Sequence, residues 1–480
     1  ALVQKLVEAQ PDIAAQSSIY ALTKSLADLI DEIQGEAVPV EKILNLDISD
    51  ISGHWKRSQL FFNIIKKYLE NRKTDPDEEA WLRLVIGSLT SYWSKNPPQN
   101  PILIAGSSGS RATTRKLIQG IIKLPNGAVV LPGFDFTLPK ELWGEKEQVG
   151  VPEDHPQYRN LKTFFTLGLR QEKLQKWYLK EKSNIPLQNL IGLSLRPAPV
   201  TDCWLEEGPK LGNVSDITEK ISLVEADSIR DEALAISFRI ISAVKEEQSL
   251  ILISPNRKLT RMVSAYLSNW DIVPDDSAGV PLQLTPSGRF LRLVVSLFTG
   301  PVTTTKIFAL LKHPLTHSGG EFRNDHLVFV QSLELFFRTA DVSIFSAESI
   351  SIWLREVKNP YASKWASWVC YILEMFKLQD SHIFEEILDK HIEIANNLAS
   401  GPDQNETNSS GGLWKQNNGH HCFKIIEKIK EASPTASSIS ASRYADVFNS
   451  ILAEEHVPEI NPTHPYIMIW GTLEARAHNA

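Results

Sequence analysis

The chain has 480 residues, 42% of them hydrophobic and 22% charged, an ordinary globular balance with room for roughly three cores. Its formal net charge of −7 excludes bulk attraction to nucleic acid, so any such contact requires a local basic surface. No apolar run approaches the roughly 18 residues of a bilayer-crossing helix. Three widely spaced cysteines, Cys203, Cys370 and Cys422, argue against a disulfide framework and for a reducing, cytoplasmic setting.

The first hundred residues read as helical. Ile19, Leu22, Leu26, Leu29 and Ile33 recur at three- and four-residue spacing, with Gly35 and Pro39 as the stop. Trp55, Phe62, Ile65 and Leu69 mark a second amphipathic helix, with Lys56, Arg57, Lys66 and Lys67 among its polar positions. The run Asn96-Pro97-Pro98-Gln99-Asn100-Pro101 is a boundary, because each proline disfavours helix before and through it.

A different pattern follows. Residues 102–105 form an apolar run entering Gly106-Ser107-Ser108-Gly109-Ser110. A helical stripe through Leu117, Ile118, Ile121 and Ile122 leads to a second apolar run at 128–131, closed by Pro132-Gly133. Strand, glycine turn, helix and strand make a βαβ unit of a parallel sheet. Asp154-His155-Pro156 and Arg196-Pro197-Ala198-Pro199 punctuate a looser polar region.

A second α/β stretch opens near Ile221. It reads as a strand at 221–224, a helix face through Ala233, Ile236, Ile240 and Val244, and a strand at 250–253. Ser254 or Asn256 is placed to cap the helix that carries Met262, Tyr266 and Leu267. Ile272-Val273 reads as a further short strand. From about 300 the chain is helical and rich in Trp, Phe and Leu, with a long polar loop expected at 401–420 and a last strand at 466–470. Both ends fall inside such patterns, so a piece of a longer chain is expected.

No complete catalytic motif is present. A phosphate-binding loop needs G-x-x-x-x-G-K-[ST], and no such run occurs. The turn at 106–111 sits between strand and helix, where anions bind, but it lacks the lysine and the length. It reads as a structural turn or as a turn touching a DNA phosphate. Residues 101–134 hold Arg111, Arg115, Lys116 and Lys123 and no acid, and hydroxyls on Ser107, Ser108, Ser110, Thr113 and Thr114 suit phosphate contacts. Asp341 with Glu356-Val357-Lys358 has the residue types of a metal nuclease, but its E-x-K reads as helical. His420-His421-Cys422 has ligand types without zinc-site spacing, and reads as loop beside a helix start.

Several stretches, taken in order, resemble the AddB family, the partner subunits of bacterial AddAB helicase–nucleases, in its alphaproteobacterial form. They are Ile104 through Ser110 with Gly127-Ala128-Val129-Val130-Leu131-Pro132-Gly133, then Asp154-His155-Pro156-Gln157-Tyr158. The most specific runs from Asp275-Asp276-Ser277-Ala278-Gly279-Val280-Pro281-Leu282 to Thr285-Pro286-Ser287-Gly288-Arg289-Phe290-Leu291-Arg292-Leu293. Leu310-Leu311-Lys312-His313-Pro314-Leu315 and Thr463-His464-Pro465 with Gly471-Thr472-Leu473-Glu474-Ala475-Arg476 complete the set.

The resemblance implies an α/β fold of two RecA-like parallel-sheet cores with large helical insertions, like superfamily-one helicases. On it, 1–98 is a helical insertion and 99–220 the remainder of the first core. The second core is 221–300, interrupted by a helical insertion at 301–460 and completed by a returning strand at 461–480. It implies resection of double-strand DNA ends for recombination, in a heterodimer with an AddA-type subunit. The partners are then that subunit and single- and double-stranded DNA ends, with no membrane. The family's iron–sulfur cluster and Mg²⁺ belong to a nuclease domain beyond Ala480, and ATP to the complex; no cofactor is expected in this segment. The turn at 106–110 lacks the acidic and glutamine residues of an active helicase, which favours a core that keeps the shape and the DNA contact without the motor. Ser107, Ser108, Ser110, Arg111, Arg257, Arg289, Arg292 and Arg476 are the expected DNA contacts, with Lys258 and Arg261 nearby, at strand ends, turns and helix starts where a parallel sheet presents its ligand side. Arg289 and Arg292, three apart on one helix face, also suit a structural ion-pair patch. Two alternatives stay open: a structural subunit that mainly binds the AddA-type partner, and a motor whose phosphate loop lies upstream.

Overall fold

The computed structural model describes residues 19–36, 38–45, 66, 78–107, 109, 111–131, 133–143, 150–169, 174–175, 185–318, 322–340, 345–377, 383–403, 410–436, 438–458 and 463–477. It is a mixed α/β protein in which helices predominate, and among the described residues there are three small sheets. The expected helix at 55–69 lies outside the described residues, except for Lys66.

In chain order, helices α1 (Ile19–Gly35), α2 (Val40–Leu44) and α3 (Glu78–Lys95) lead into β1 (Ile102–Ala105), α4 (Ala112–Ile122) and β2 (Gly127–Val130). Helices α5 (Tyr158–Thr166), α6 (Ile185–Ser194), α7 (Cys203–Glu207), α8 (Val214–Thr218) and α9 (Ile229–Lys245) follow. Next come β3 (Leu250–Ile253), α10 (Arg257–Ser268), β4 (Asp275–Asp276) and β5 (Val280–Pro281). The helices α11 (Pro286–Ser296), α12 (Thr304–Leu311), α13 (Arg323–Thr339) and α14 (Ala347–Leu354) open the long helical stretch. It continues through α15 (Tyr361–Met375), α16 (Phe384–Ser400), α17 (Gln416–Ala432) and α18 (Ala441–Glu454). Strands β6 (His456–Val457) and β7 (Ile467–Trp470) and helix α19 (Thr472–Ala477) come last. The chain divides into two compact units.

The first unit holds Lys24–Arg239, Ile253–Tyr266 and Gly471–Ala480. Here β1 and β2 pair in parallel, from Ile102↔Gly127 to Ala105↔Val130, with α4 as the crossover. The βαβ reading of the sequence therefore holds. Helix α4 packs against α3, and the approach is close: a Cβ on Gly120 would stand 2.4 Å from Thr90 Cγ2. After β2 the rings of Phe134, Trp143 and Phe164 pack together, with Trp143 and Phe164 stacked at 5.7 Å.

The two breakers of the sequence reading are joined here. His155 Nε2 donates to Leu195 O at 2.9 Å, and Gln157 Nε2 donates to Gly133 O at 2.8 Å. The buried Arg196 guanidinium donates to Thr137 O at 2.7 Å and pairs with Asp135 at 3.3 Å and Glu207 at 3.7 Å.

The second unit holds Ala1–Thr23, Ile240–Leu252 and Leu267–Trp470. Its sheet has the order β3-β7-β4, with β4 and β7 parallel at Asp275↔Met468 and Asp276↔Ile469. Strands β5 and β6 pair antiparallel. Helices α11 to α18 surround one core, and α11 touches α12, α16, α17 and α18. Phe290, Leu291, Val294 and Val295 of α11 are fully buried, each contributing about 1.5–3 kcal/mol through removal from water.

The Thr-Pro-Ser-Gly run that opens α11 has a structural reason at each position. Thr285 caps the helix, its Oγ1 accepting from Gly288 N at 3.2 Å, and Pro286 takes the first helical position, where no N–H is needed. Ser287 Oγ donates to Leu413 O at 2.9 Å. Gly288 lies so close to Leu282 that a Cβ would stand 1.9 Å from its carbonyl oxygen.

Four readings are corrected. Residues 221–224 are not a strand, and Leu223 is 85% exposed; β propensity expresses itself only where a neighbouring strand accepts the hydrogen bonds. The short strand falls at Asp275–Asp276 rather than Ile272-Val273, and Val273 O instead accepts from His464 N at 2.6 Å. The loop expected through 420 ends earlier: 416–422 lie inside α17, and Cys422 is buried. Finally, Glu356-Val357-Lys358 lies in the turn after α14, not in a helix, while Asp341 lies outside the described residues.

Candidate nucleic-acid interface

The turn after β1 is the clearest candidate. Gly106 and Gly109 both have positive φ, +80° and +66°, a conformation that glycine adopts without steric cost. Gly109 N donates to Ser107 Oγ at 3.3 Å. The turn lies at the carboxyl end of β1 and delivers the chain to the first turn of α4, which carries no acid. An acid-free helix start of this kind, with its dipole, suits an anion. Ser108 and Ser110 lie outside the described residues.

The basic side chains of this turn already have partners. Arg111, 67% exposed, pairs with Glu79 at the start of α3. Arg115, mostly buried, donates to Glu36 at 2.7 Å and to Gly109 O at 3.0 Å. Counting charge within 101–134 misses both carboxylates, because they arrive from the preceding helical segment. The only sequence signal was the acidic first turn of α3, Glu78 and Glu79, which any helix favours. Any anion at Arg111 would have to compete with Glu79.

The second α/β stretch supplies a basic helix start. Asn256 Oδ1 accepts from Lys258 N at 3.1 Å and Leu259 N at 3.3 Å, while Ser254 Oγ accepts from Asn256 N at 3.1 Å. Both proposed capping residues thus take part. Arg257 is half-buried and crowds Gly471, where a Cβ would stand 3.4 Å from its Nη2 and 2.7 Å from Glu474 Oε2. Lys258 and Arg261 are exposed. Arg476 falls in α19, and its side chain lies outside the described residues.

Arg289 and Arg292 belong to the second unit and differ from each other. Arg289 is exposed. Arg292 is half-buried and donates to Asn449 Oδ1 at 3.1 Å and to Gln283 O at 3.4 Å. The expected contacts thus divide between units: Ser107, Arg111, Arg257 and Arg476 in the first, Arg289 and Arg292 in the second.

Cys203 and Cys370 are half-buried and Cys422 is buried, all as free thiols. Burial pushes the Cys422 thiol up to about 12. Among the described residues, no three His, Cys, Asp or Glu side chains converge as a metal site. Among those residues, no helix is long and apolar enough to cross a membrane.

The site and the fold together define a mixed α/β protein with small parallel sheets and a glycine turn at a strand end. Compared with known proteins, the chain matches no protein-family model and no curated protein.

Proposed function

We propose that this chain is the DNA-handling portion of an AddB-like subunit, built on two RecA-like cores, in a complex that resects double-strand DNA ends for recombination. The observation that carries the reading is the β1–α4–β2 unit, with its glycine turn at the carboxyl end of β1 and an acid-free helix start beside exposed Arg111. The ordered run of AddB-like motifs supports it. Single strands are held by cations along phosphates, and Arg111, Lys258, Arg261 and Arg289 present such cations. The chain acts with an AddA-type partner, which supplies the motor.

The test is binding of fluorescent single-stranded DNA at low and moderate salt. Binding that weakens steeply with salt, and weakens further in Arg111→Glu and Arg289→Glu, supports the reading. Binding that is absent at low salt overturns it for the chain alone.

One observation favours a second reading, a structural subunit that mainly binds its partner. Helix α3 shows an exposed apolar stripe, Trp81, Leu84, Val85 and Tyr92, with Trp81 60% and Tyr92 62% exposed. Such a stripe suits packing against an apolar partner surface.

A further inference from the structure

His317 sits in the turn after α12 with a φ of +52°, which a residue with a large ring seldom adopts. Its N–H donates to Leu398 O at 2.7 Å, and the next N–H, that of Ser318, donates to Ala399 O at 3.0 Å. Facing it is Gly401, with φ +87°, where a Cβ would stand 2.0 Å from His317 Cδ2. Two backbone concessions, one on each side, thus seat this imidazole in the interior. The ring is 0% exposed, 5.4 Å from the His326 ring and 6.1 Å from that of Trp368.

The neighbouring His326 shows what a satisfied buried histidine looks like. Its Nε2–H donates to Leu311 O at 2.8 Å, and its Nδ1 accepts from Trp365 Nε1 at 2.9 Å. His317 differs: among the described residues neither of its ring nitrogens has a partner, and neither has Trp368 Nε1. Leaving a buried donor or acceptor unpaired is costly, and three on adjoining rings are too many to leave unmet.

The chemistry of the three atoms restricts what can meet them. Burial favours the neutral imidazole, and the Arg323 charge acts in the same direction, against the pull of Asp403. A neutral imidazole offers one donor and one acceptor, and an indole offers one donor. The ligand must therefore both accept and donate, and it must be small enough for a packed interior. A metal cation cannot accept, an inorganic anion without a proton cannot donate, and an apolar group does neither.

We propose that His317 and Trp368 hold ordered water inside the second unit. Waters accept from Trp368 Nε1–H and from the protonated ring nitrogen of His317, and a different water donates to the bare one. The two ring nitrogens diverge, so more than one molecule is needed. Buried waters of this kind make about three hydrogen bonds each and form part of the fold. Here they fasten the α12–α13 connection to the end of α16 and to α15. In the same region Asp403 receives the Tyr361 hydroxyl and the Lys364 ammonium.

The test is a crystal structure of the whole chain at a resolution that shows solvent. Solvent peaks within about 3.2 Å of both His317 nitrogens and of Trp368 Nε1 are expected, and are expected to be lost in His317→Phe. A histidine whose nitrogens bond directly to protein groups, or that has no solvent peak beside it, overturns the proposal. A second measurement does not depend on the variant folding. In ¹⁵N-tryptophan-labelled protein, the indole signal assigned by its loss in Trp368→Phe is expected to show a cross-relaxation peak with water. A Trp368 indole signal with no such peak overturns the proposal equally.

Discussion

Arg292 Nε donates to Asn449 Oδ1 at 3.1 Å, joining α11 to α18 across 157 residues of chain. Its neighbour on the same helix face, Arg289, is exposed. Two arginines that look equivalent in the sequence therefore have different duties. Arg292→Ala is expected to cost about 1–2 kcal/mol of stability, and Arg289→Ala less than about 0.5 kcal/mol. Urea unfolding of the two variants distinguishes them. Equal costs would show that the Asn449 contact contributes nothing. For this reason a DNA-binding test should vary Arg289 without Arg292.

Arg196 is the most buried charge of the first unit, with Asp135 and Glu207 as its counter-ions. Both carboxylates keep access to water, so removing Arg196 mainly costs its buried hydrogen bonds to Thr137 and its packing. Arg196→Ala is expected to lower stability by about 1–3 kcal/mol, read as a shift of the thermal midpoint. Arg261→Ala, on an exposed position, serves as the control and is expected to leave the midpoint nearly unchanged.

His391 is fully buried in the second unit. Its Nε2–H donates to Leu291 O at 3.0 Å, and its Nδ1 accepts from the Tyr444 hydroxyl at 2.9 Å. Burial lowers His391 from 6.5 to about 4 and His326 to about 3. His313, lowered to about 4, owes its shift to burial and to the charges of Arg323 and Arg289. Each folded value lies below the unfolded one, so the unfolded chain takes up these protons first. The stability is complete above pH 6.5 and is lost as pH falls toward about 4. The loss is about 1.4 kcal/mol per pH unit for each histidine in that window. Urea midpoints between pH 7.5 and 4.5 measure the slope, and His391→Gln is expected to make it shallower.

The start of α11 offers a graded pair. Thr285→Val removes the cap that receives Gly288 N and is expected to cost about 1 kcal/mol. Gly288→Ala forces a Cβ against Leu282 O and is expected to cost more, up to about 3 kcal/mol. If calorimetry ranked them the other way, close packing would not be the reason for glycine at 288.

What could be read from the sequence follows from the range of the interactions involved. The β1–α4–β2 unit was legible because its signals are local: an apolar run, two glycines and a 3.6-residue stripe within 30 residues. The Asn256 cap was legible for the same reason. The partners of the candidate site were not. Glu79 reaches Arg111 from 32 residues away, and Asn449 reaches Arg292 from 157, and no local pattern carries such pairings. The strand expected at 221–224 failed for a related reason, since a strand depends on a neighbour that its own residues do not specify. Arg196 and His155 looked like punctuation because their prolines did; their hydrogen bonds appear only once the two turns meet.

The interleaving of the two units has a consequence for how the protein is made. The first unit includes Gly471–Ala480, which follow almost all of the second unit along the chain. A ribosome therefore cannot release the first unit complete before the second has been synthesised. Nor does a single protease cut free either one.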